Sequence, residues 1–423
     1  MGTSDYRDFV YPPDDPHVAN MRGLSYREHV QQMLEHAPPA RGALEHWSHL
    51  ADEPLKGVTT DGHVLPGLYS RRDEGAPVAA MVAAADRLLR LLDPQGRNAL
   101  QRPLDAREWR MWNNTEIYFF DYGIRLEDQP LDVRDAALAL VAASLSDEGY
   151  RTTRHTMWLN EFLGELTAAP GIFNEWSYNF TLFGEVSLVE PWGWQLMGHH
   201  LSLNCVVIGG QMVLSPVFIG AEPAYLQDGP YGGVAALIDR EVGGWELLRS
   251  LRPSLREQVM LYNEIRHPDL PPGRVHMVDQ LHLGGAFQDN RVIGYEGAPG
   301  REFDGAERRK LLGLVDTFLA PLPSGPRSAR LAEVEEHLDE TYFSWIGSME
   351  ENRPFYYRIQ SPVILAEFDH HSGILLSNKV PMTFHIHTLV RTPNGNDYGN
   401  DLLRQHYSAH EHGTGGHVHQ PHG

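Results

Sequence analysis

The spacing of apolar residues changes part-way along the chain. Up to Leu166, apolar residues recur every three or four positions, which is the period of an amphipathic helix. The helices predicted from this spacing are Tyr26–His36, Val78–Leu92, Pro103–Trp112, Asp132–Leu145 and Arg151–Leu166. The stretch Pro39–Glu74 is rich in glycine, proline and charged residues and is predicted to form loops or short strands. The first part of the chain is therefore predicted to be mostly helical.

From Phe173 the pattern becomes aromatic and rich in β-formers, and it predicts a hairpin. The two strands of this hairpin are His200–Ile208 and Gln211–Ile219, separated by two glycines that suit a tight turn. The predicted register places Asn204 opposite Ser215 and leaves His200 on the polar face of its strand. Further helices are predicted at Gly232–Leu251, Ala306–Leu319 and Ala329–Thr341.

The last part of the chain alternates as a β-meander does. The predicted strands are Tyr356–Asp369, Ile374–Ser377 and Met382–Arg391. His370 and His371 fall at the first turn, where we expect them to be exposed. Together these patterns predict an α+β fold, in which a helical N-terminal half packs on a mostly antiparallel β-sheet that carries a histidine-rich site.

One domain is predicted to fill most of the chain. Residues 1–20 are predicted to be a lead-in segment and residues 21–407 a single α+β domain. Residues 408–423 are rich in glycine and histidine and contain almost no apolar residue, so they are predicted to be disordered.

The charge balance excludes some classes of partner. The chain of 423 residues has 35 Lys and Arg against 56 Asp and Glu, a net charge of −21. Such a surface repels phosphate backbones, so we expect no nucleic-acid partner and no membrane partner, and a small-molecule substrate fits better. No signal peptide and no apolar run long enough to span a bilayer are recognised, which predicts a cytoplasmic protein. The single cysteine, Cys205, excludes an internal disulfide, and the pattern leaves the oligomeric state open.

The last predicted strand, Met382–Arg391, carries the strongest chemical signal. His385 and His387 are two residues apart, so their imidazoles point to the same face of the strand. Glu367 and Asp369 share a face of the first predicted strand, Tyr356–Asp369, and carboxylates in an apolar strand are costly unless they are paired or bind a metal. Imidazoles beside carboxylates are the ligands of divalent transition metals, here zinc, iron or copper.

His199 and His200 are the further candidate ligands. Neighbouring residues of a strand point to opposite faces, so one of the two is expected to reach the common site. The polar face favours His200, and the alternative is His199, which lies at the start of the strand where a bulge would direct it to the site. The alternative for every histidine is a hydrogen-bonded core residue, and the alternative for the two acids is a salt bridge to Arg358 or Arg391. His155, His276 and His282 have no partner that the pattern identifies.

These residues predict a metal-dependent enzyme, with a hydrolase as the leading form. His385, His387, Glu367 and one or both of the other two histidines would hold one or two ions, and the metal would activate water. Asp369 is predicted to be the general base or an orienting residue, and Arg391 to bind an anionic part of the substrate. No dinucleotide fingerprint, P-loop, nucleophile elbow or zincin motif is present.

Two other functions use the same residues. Two histidines and one carboxylate are also the ligand set of non-haem iron oxygenases, and an all-histidine set suits copper, so an oxidoreductase is the first alternative. A non-catalytic metal-binding protein, with the histidine-rich tail as a loading arm, is the second.

Several longer motifs resemble one family. They are Pro191-Trp-Gly-Trp-Gln195, Gly198-His-His-Leu, Gly284-Gly with Asp289-Asn290, Asp339-Glu-Thr with Ser344-Trp-Ile-Gly347, and His385-Ile-His-Thr-Leu-Val-Arg-Thr-Pro-Asn-Gly-Asn-Asp-Tyr-Gly399. With these motifs the chain resembles the family catalogued as domain of unknown function 3500, from about Met21 to Tyr407. The resemblance implies that the motifs belong to one domain, and it implies no reaction.

Overall fold

Helices and one large sheet make up the structure, a computed structural model that describes residues 5–12, 14–276 and 278–411. The helices in these ranges are α1 (Pro16–Ala19), α2 (Tyr26–His36), α3 (Pro38–Asp52), α4 (Val78–Leu91), α5 (Pro94–Leu100), α6 (Leu131–Ser144), α7 (Asp147–Thr167), α8 (Ile238–Ser250), α9 (Pro253–Val259), α10 (Gly305–Leu319), α11 (Ser324–Glu336) and α12 (Asn400–Glu411). The strands are β1 (Gln101–Arg102), β2 (Ile124–Arg125), β3 (Tyr178–Phe183), β4 (Trp192–Gly198), β5 (Leu201–Ile208), β6 (Gln211–Ala221), β7 (Met260–Tyr262), β8 (Ala298–Pro299), β9 (Tyr342–Gly347), β10 (Phe355–Gln360), β11 (Leu365–His371) and β12 (Met382–Arg391). The predicted α+β class is confirmed.

The sheet joins two meanders from distant parts of the chain. Its strand order is β1-β3-β4-β5-β6-β12-β11-β10-β9-β7, with β2 beside β3 and β8 beside β9. Within the described residues, only the β1–β3 and β7–β9 pairs are parallel. The β6–β12 pairing connects the meanders, so residues near position 200 and residues near position 387 meet in the middle of the sheet.

The two faces of the sheet are covered differently. On one face Trp194 donates to Ser144 of α6, and the Tyr357 hydroxyl donates to a carbonyl of α8. On the other face Gln195 donates to the carbonyl of Trp109, in a segment outside the α-helices. Long connecting segments cover this second face, and the histidines discussed below lie on it.

The N-terminal helices begin where their sequence allows capping. Ser25 and Glu28 form a capping box at α2, and the Ser146 hydroxyl accepts from the Gly149 amide at α7. The prediction of loops over Pro39–Glu74 is wrong for its first part, which is α3. Prolines occupy the first positions of α3, where a missing N–H costs nothing, and the helix buries Trp47 against the core.

Three predictions from the β-pattern are wrong. The predicted strand Tyr356–Asp369 is two strands, β10 and β11, and Ile374–Ser377 is not a strand. The hairpin of β5 and β6 is confirmed at its turn, where Ile208 pairs with Gln211, but a register shift between Leu203 and Cys205 removes the predicted Asn204–Ser215 pair. Such a bulge adds a residue to one strand, which the alternation of apolar residues does not reveal.

Some boundaries also differ from the prediction. The helix predicted at Gly232–Leu251 is observed as the shorter helix α8, which begins at Ile238. At the C-terminus α12 continues to Glu411, so residues 408–411 of the predicted tail are helical, and residues 412–423 lie outside the described part. Across the described residues, no helix combines the length and the apolar character that a bilayer crossing needs.

Candidate metal centre

Strand β12 carries two histidines on one face. His385 and His387 alternate with Phe384 and Ile386, as the sequence predicts, and both are almost fully buried. In the β11–β12 pairing, His387 lies directly opposite Asp369. Directly opposed residues of an antiparallel pair point to the same side of the sheet, so the carboxylate joins the histidine face.

The neighbouring strand β6 leaves room for these rings. Gly220 pairs with His387, and a Cβ atom on this glycine would lie 2.8 Å from Cδ2 of His387 and 3.3 Å from Cδ2 of His200. A side chain at this position would collide with His387. The glycine therefore allows imidazoles from two distant parts of the chain to approach each other.

A two-residue turn supplies the third imidazole. His199 and His200 connect β4 to β5, and His200 has a left-handed backbone with φ of 59°. The strand predicted to begin at His200 therefore begins one residue later, at Leu201. A non-glycine residue in this conformation costs free energy, and such residues are concentrated at functional sites. The Gly220 amide donates to the His200 carbonyl at 2.7 Å, which fixes the turn beside β6.

Three imidazole nitrogens converge at this point. Nε2 of His387 lies 3.0 Å from Nε2 of His385 and 3.1 Å from Nε2 of His200. Two nitrogens bound to one ion at 2.0–2.1 Å are separated by about 2.8–3.4 Å. Lone pairs of neutral imidazoles repel at such distances unless a proton or a cation lies between them. The three nitrogens thus have the separations of a common metal ligand set, which we call the three-histidine set.

A second group shares one member with the first. Asp369, His371 and His387 each have a ligand atom within 4.8 Å of the others, and we call them the aspartate set. His371 lies two residues after Asp369 on β11 and therefore points to the same face. Its ring centre is 4.0 Å from that of His387. The structure therefore positions histidine and aspartate side chains to hold a metal ion.

Buried polar atoms without partners are concentrated here. Among the described residues, such atoms include both carboxylate oxygens of Asp369, Nε2 of His371, and Nδ1 of His385 and of His387. The Leu281 amide is oriented towards Asp369 but completes no hydrogen bond of ordinary geometry with it. Both nitrogens of His282 also have none, and its Nε2 lies 3.5 Å from Oδ1 of Asp369. Unpaired buried polar atoms are rare in native proteins, so a cluster of them indicates a missing ligand or water.

Burial keeps the imidazoles neutral. It lowers the pKa of His371 to about 3, and it holds the pKa values of His200, His385 and His387 well below the ordinary value. Burial also raises the pKa of Asp369 well above its usual range. A neutral imidazole has a free lone pair, which is the form that binds metal, and a bound cation would favour the ionised carboxylate.

A second group of residues orients the candidate ligands. Nδ1 of His385 lies 3.6 Å from Oε1 of Glu222, a buried carboxyl whose oxygens accept from three backbone amides, at positions 374–376. Burial raises the pKa of Glu222 to about 8. Nδ1 of His371 lies 3.3 Å from the Ser372 carbonyl and 3.0 Å from the Gln280 amide nitrogen. A carboxyl or carbonyl behind the ring is the arrangement that orients metal-binding histidines.

His199 lies behind the three-histidine set and belongs to neither set. Its ring stacks on His200 with centres 3.8 Å apart, and its Nδ1 lies 2.9 Å from the Asn160 side-chain oxygen. Burial lowers the pKa of His199 to about 4. The structure therefore brings His200 to the common point and gives His199 a position that supports it.

Glu367 lies on the same face but has other partners. Its carboxylate accepts from the amides of Leu283 and Gly284 at 2.8 Å each and from the Tyr356 hydroxyl at 2.7 Å. Burial alone would raise the pKa of Glu367, but nearby charges, with Arg358 among them, and these amides lower it. The structure does not bring Glu367 into either set, and the carboxylate holds the connecting segment around position 284 against β11.

Arg391 is also occupied by the fold. Its guanidinium donates to the carbonyls of Gly284 and Gly285 and to the carboxylates of Asp289 and Asp397. These four bonds use most of its five N–H groups. The contacts observed are those of a structural centre, and the role of Arg391 in binding an anionic group stays a prediction.

Three residues of the site are missed or misplaced by the sequence patterns. His371 is predicted to be exposed, yet it is buried, because β11 extends two residues further than the pattern indicates. The alternation Glu367, Asp369, His371 is the signal that could have found it. His282 and Glu222 carry no such signal, because a connecting segment and a strand end position them. His370 is also buried, but on the opposite face, where its Nε2 lies 3.0 Å from Glu241.

Comparison with known proteins identifies a family. No curated protein matches the chain, and no solved structure matches it. Residues 74–400 match the family described as "Protein of unknown function (DUF3500)", which covers most of the chain and both ligand sets. The chain therefore belongs to the DUF3500 family.

Proposed function

We propose that this protein is a metal-dependent enzyme whose leading activity is hydrolysis of a small molecule. The observation that carries the proposal is the convergence of three imidazole nitrogens, of His200, His385 and His387, at 3.0 and 3.1 Å. Three histidines that leave a coordination position open are a common ligand set for catalytic zinc. A bound zinc ion lowers the pKa of its water and so supplies hydroxide at neutral pH.

Residues of the chain would bind the ion, orient its ligands and accept a proton. The three histidines are neutral and held in place by the sheet, so they can bind an ion without first losing a charge. Glu222 accepts from the backbone and faces Nδ1 of His385, which orients that ring. Asp369 presents two oxygens without hydrogen bonds beside the set, as a proton acceptor would.

An oxidoreductase is the second candidate, and the aspartate set favours it. Asp369, His371 and His387 provide two imidazoles and one carboxylate, the ligand types of non-haem iron oxygenases. The site is almost fully buried, which suits a small reactant such as dioxygen. The identity of the bound metal separates the two candidates.

Metal analysis of protein purified without a tag tests the proposal. We expect bound metal in the wild type and its loss in the His385→Ala/His387→Ala variant. Zinc would support hydrolysis, and iron or copper would support oxygen chemistry. His370→Ala is the matched control, because this buried histidine lies on neighbouring strand β11 but points away from the site.

The histidine-rich C-terminus needs its own control. A full-length variant with His410, His412, His417, His419 and His422 changed to Asn removes the imidazoles that could bind metal loosely. If that variant loses its metal while the double variant at positions 385 and 387 keeps it, the internal site is not the metal site. The remaining explanation would then be a non-catalytic metal-binding protein.

A further inference from the structure

Two separate ligand sets meet at one imidazole. The three-histidine set and the aspartate set share His387, and no single set of this kind gathers all five residues among those described. Two ligand atoms of one ion bound at 2.1 Å are at most about 4.2 Å apart. The arrangement therefore contains more candidate ligands than one compact ion site requires.

The shared residue has a second ring nitrogen besides the one that faces the three-histidine set. Nε2 of His387 faces Nε2 of His385 and of His200. Its Nδ1 is buried and has no hydrogen-bond partner among the described residues. A histidine whose first nitrogen binds a metal normally donates its second N–H to a carboxylate, a carbonyl or water, and here that partner is missing. The second nitrogen is therefore available to another ligand.

The other members of the aspartate set present free atoms as well. Both oxygens of Asp369 and Nε2 of His371 are buried without hydrogen bonds to any described residue. A metal ion at Nε2 of His371 requires the tautomer whose N–H is on Nδ1, where it donates to the Ser372 carbonyl at 3.3 Å; this tautomer gives up the hydrogen bond that the Gln280 amide nitrogen, 3.0 Å away, would donate to Nδ1. His282, with Nε2 at 3.5 Å from Asp369 and both nitrogens unpaired, is a fourth candidate ligand.

From these contacts we infer that the protein holds two metal ions bridged by the imidazole of His387. The first ion lies at Nε2 of His387 with His200 and His385. The second lies at Nδ1 of His387 with Asp369 and His371, and with His282 beside them. A neutral imidazole carries one N–H, so binding at both nitrogens breaks that bond and releases the proton to water.

This inference rests on the proposed function and deepens it. It makes Asp369 a ligand of the second ion, in place of the proton acceptor named above. It also distinguishes the two ions chemically, because the first has imidazole ligands alone while the second includes a carboxylate. A site with a carboxylate favours harder, oxygen-preferring ions than an all-imidazole site does.

Counting ions in single variants tests the bridge. Metal-free protein, in the background with the five C-terminal histidines replaced, is titrated with Zn²⁺ and freed of excess metal. We expect two ions per chain in this background, one after His385→Ala, one after His371→Ala, and none after His387→Ala. Asp369→Asn, which changes little in size, replaces His371→Ala if that variant fails to fold.

A spectroscopic measurement separates two bridged ions from two distant ones. Loaded with Cu²⁺, the bridged pair should show a weakened or split electron paramagnetic resonance signal, whereas His371→Ala should show the full signal of one isolated ion. One ion per chain in the wild type, unaffected by His371→Ala and by Asp369→Asn, would overturn the bridge and leave the proposed enzyme intact. No bound ion at all would overturn both.

Discussion

Two carboxylates on strand β11, two residues apart, have opposite surroundings. Glu367 accepts hydrogen bonds from three donors, two amides and a tyrosine hydroxyl, whereas Asp369 accepts none of ordinary geometry from the described residues. Both are fully buried on the same face of the sheet. A buried carboxylate whose oxygens are hydrogen-bonded stabilises the chain around it. A buried carboxylate without hydrogen bonds is costly unless a bound ion or molecule from outside the chain contacts its oxygens.

The same contrast extends to the neighbours of each residue. Near Glu367 the buried cation Arg391 forms ion pairs with Asp289 and Asp397, so these charges are neutralised within the fold. Around Asp369 lie His371 and His387, each with a buried ring nitrogen that has no partner among the described residues. We propose that the half of this face around Glu367, which we call the saturated half, serves the fold, and that the half around Asp369, the unsaturated half, holds a metal ion. The following predictions test that division.

The largest effect is expected from Arg391→Met in the saturated half. This change leaves Asp397 buried without its cation and Asp289 with Arg110 alone, and breaking a buried pair in this way costs about 3–5 kcal/mol of unfolding free energy. Urea denaturation measures the loss. Arg404→Met is the control, because Arg404 is exposed and loses only a 3.5 Å contact with Asp401, so a change within about 0.5 kcal/mol is expected. A small effect at Arg391 would show that the saturated half does not hold the fold.

Metal should stabilise the unsaturated half. A divalent ion present at about 100 times its dissociation constant stabilises the folded state by about 2.7 kcal/mol, since it binds the folded chain alone. Thermal unfolding of metal-free protein with and without added Zn²⁺ measures this shift. His385→Ala/His387→Ala should abolish it, and Arg404→Met should keep it. An equal shift in the double variant would place the stabilising ion elsewhere.

Amide substitutions compare the two carboxylates directly. Glu367→Gln cannot accept from every present donor, so we expect a loss of about 1–3 kcal/mol in unfolding free energy. Asp369→Asn loses no hydrogen bond, so metal-free protein should change by less than about 1 kcal/mol. Urea denaturation of the metal-free variants measures both unfolding free energies. The division fails if Asp369→Asn proves the more destabilising of the two.

The smallest expected effect is that of Gly220→Ala. The added Cβ would lie 2.8 Å from His387, so the ring must move, and we expect metal affinity to fall by about tenfold. A competition titration with a chromogenic chelator measures it. Gly313→Ala is the matched control, because Gly313 lies in α10 with no described atom near its missing Cβ. An unchanged metal affinity in Gly220→Ala would show that the histidine rings accommodate the added methyl group without leaving their positions.

Much of this geometry follows from short-range pattern. The alternation of side chains along a strand is enough to place His385 and His387 on one face, and to place Glu367 and Asp369 on one face. The pattern cannot tell Glu367 from Asp369, because the hydrogen bonds of Glu367 come from Tyr356, on another strand, and from the connecting segment near position 284. The difference between a structural and a ligand-binding carboxylate is therefore a tertiary property.

The third imidazole shows a second limit of the sequence. The polar face of a predicted strand favours His200 over His199, and His200 is the one at the common point. The physical reason is different, since His200 lies in a turn with a left-handed backbone rather than in the strand. That turn reaches the site only because β6 pairs with β12, and pairing between strands so distant along the chain leaves no local trace.

Every member of the two ligand sets comes from a strand or from a two-residue turn. His282 is the exception among the nearby candidates, because it lies in a connecting segment outside the helices and strands. Connecting segments change more freely during evolution than paired strands do. Relatives of this protein would therefore keep the arrangement of these candidate ligands while the segments that cover them vary, so that the same ligand sets would lie beneath different surfaces.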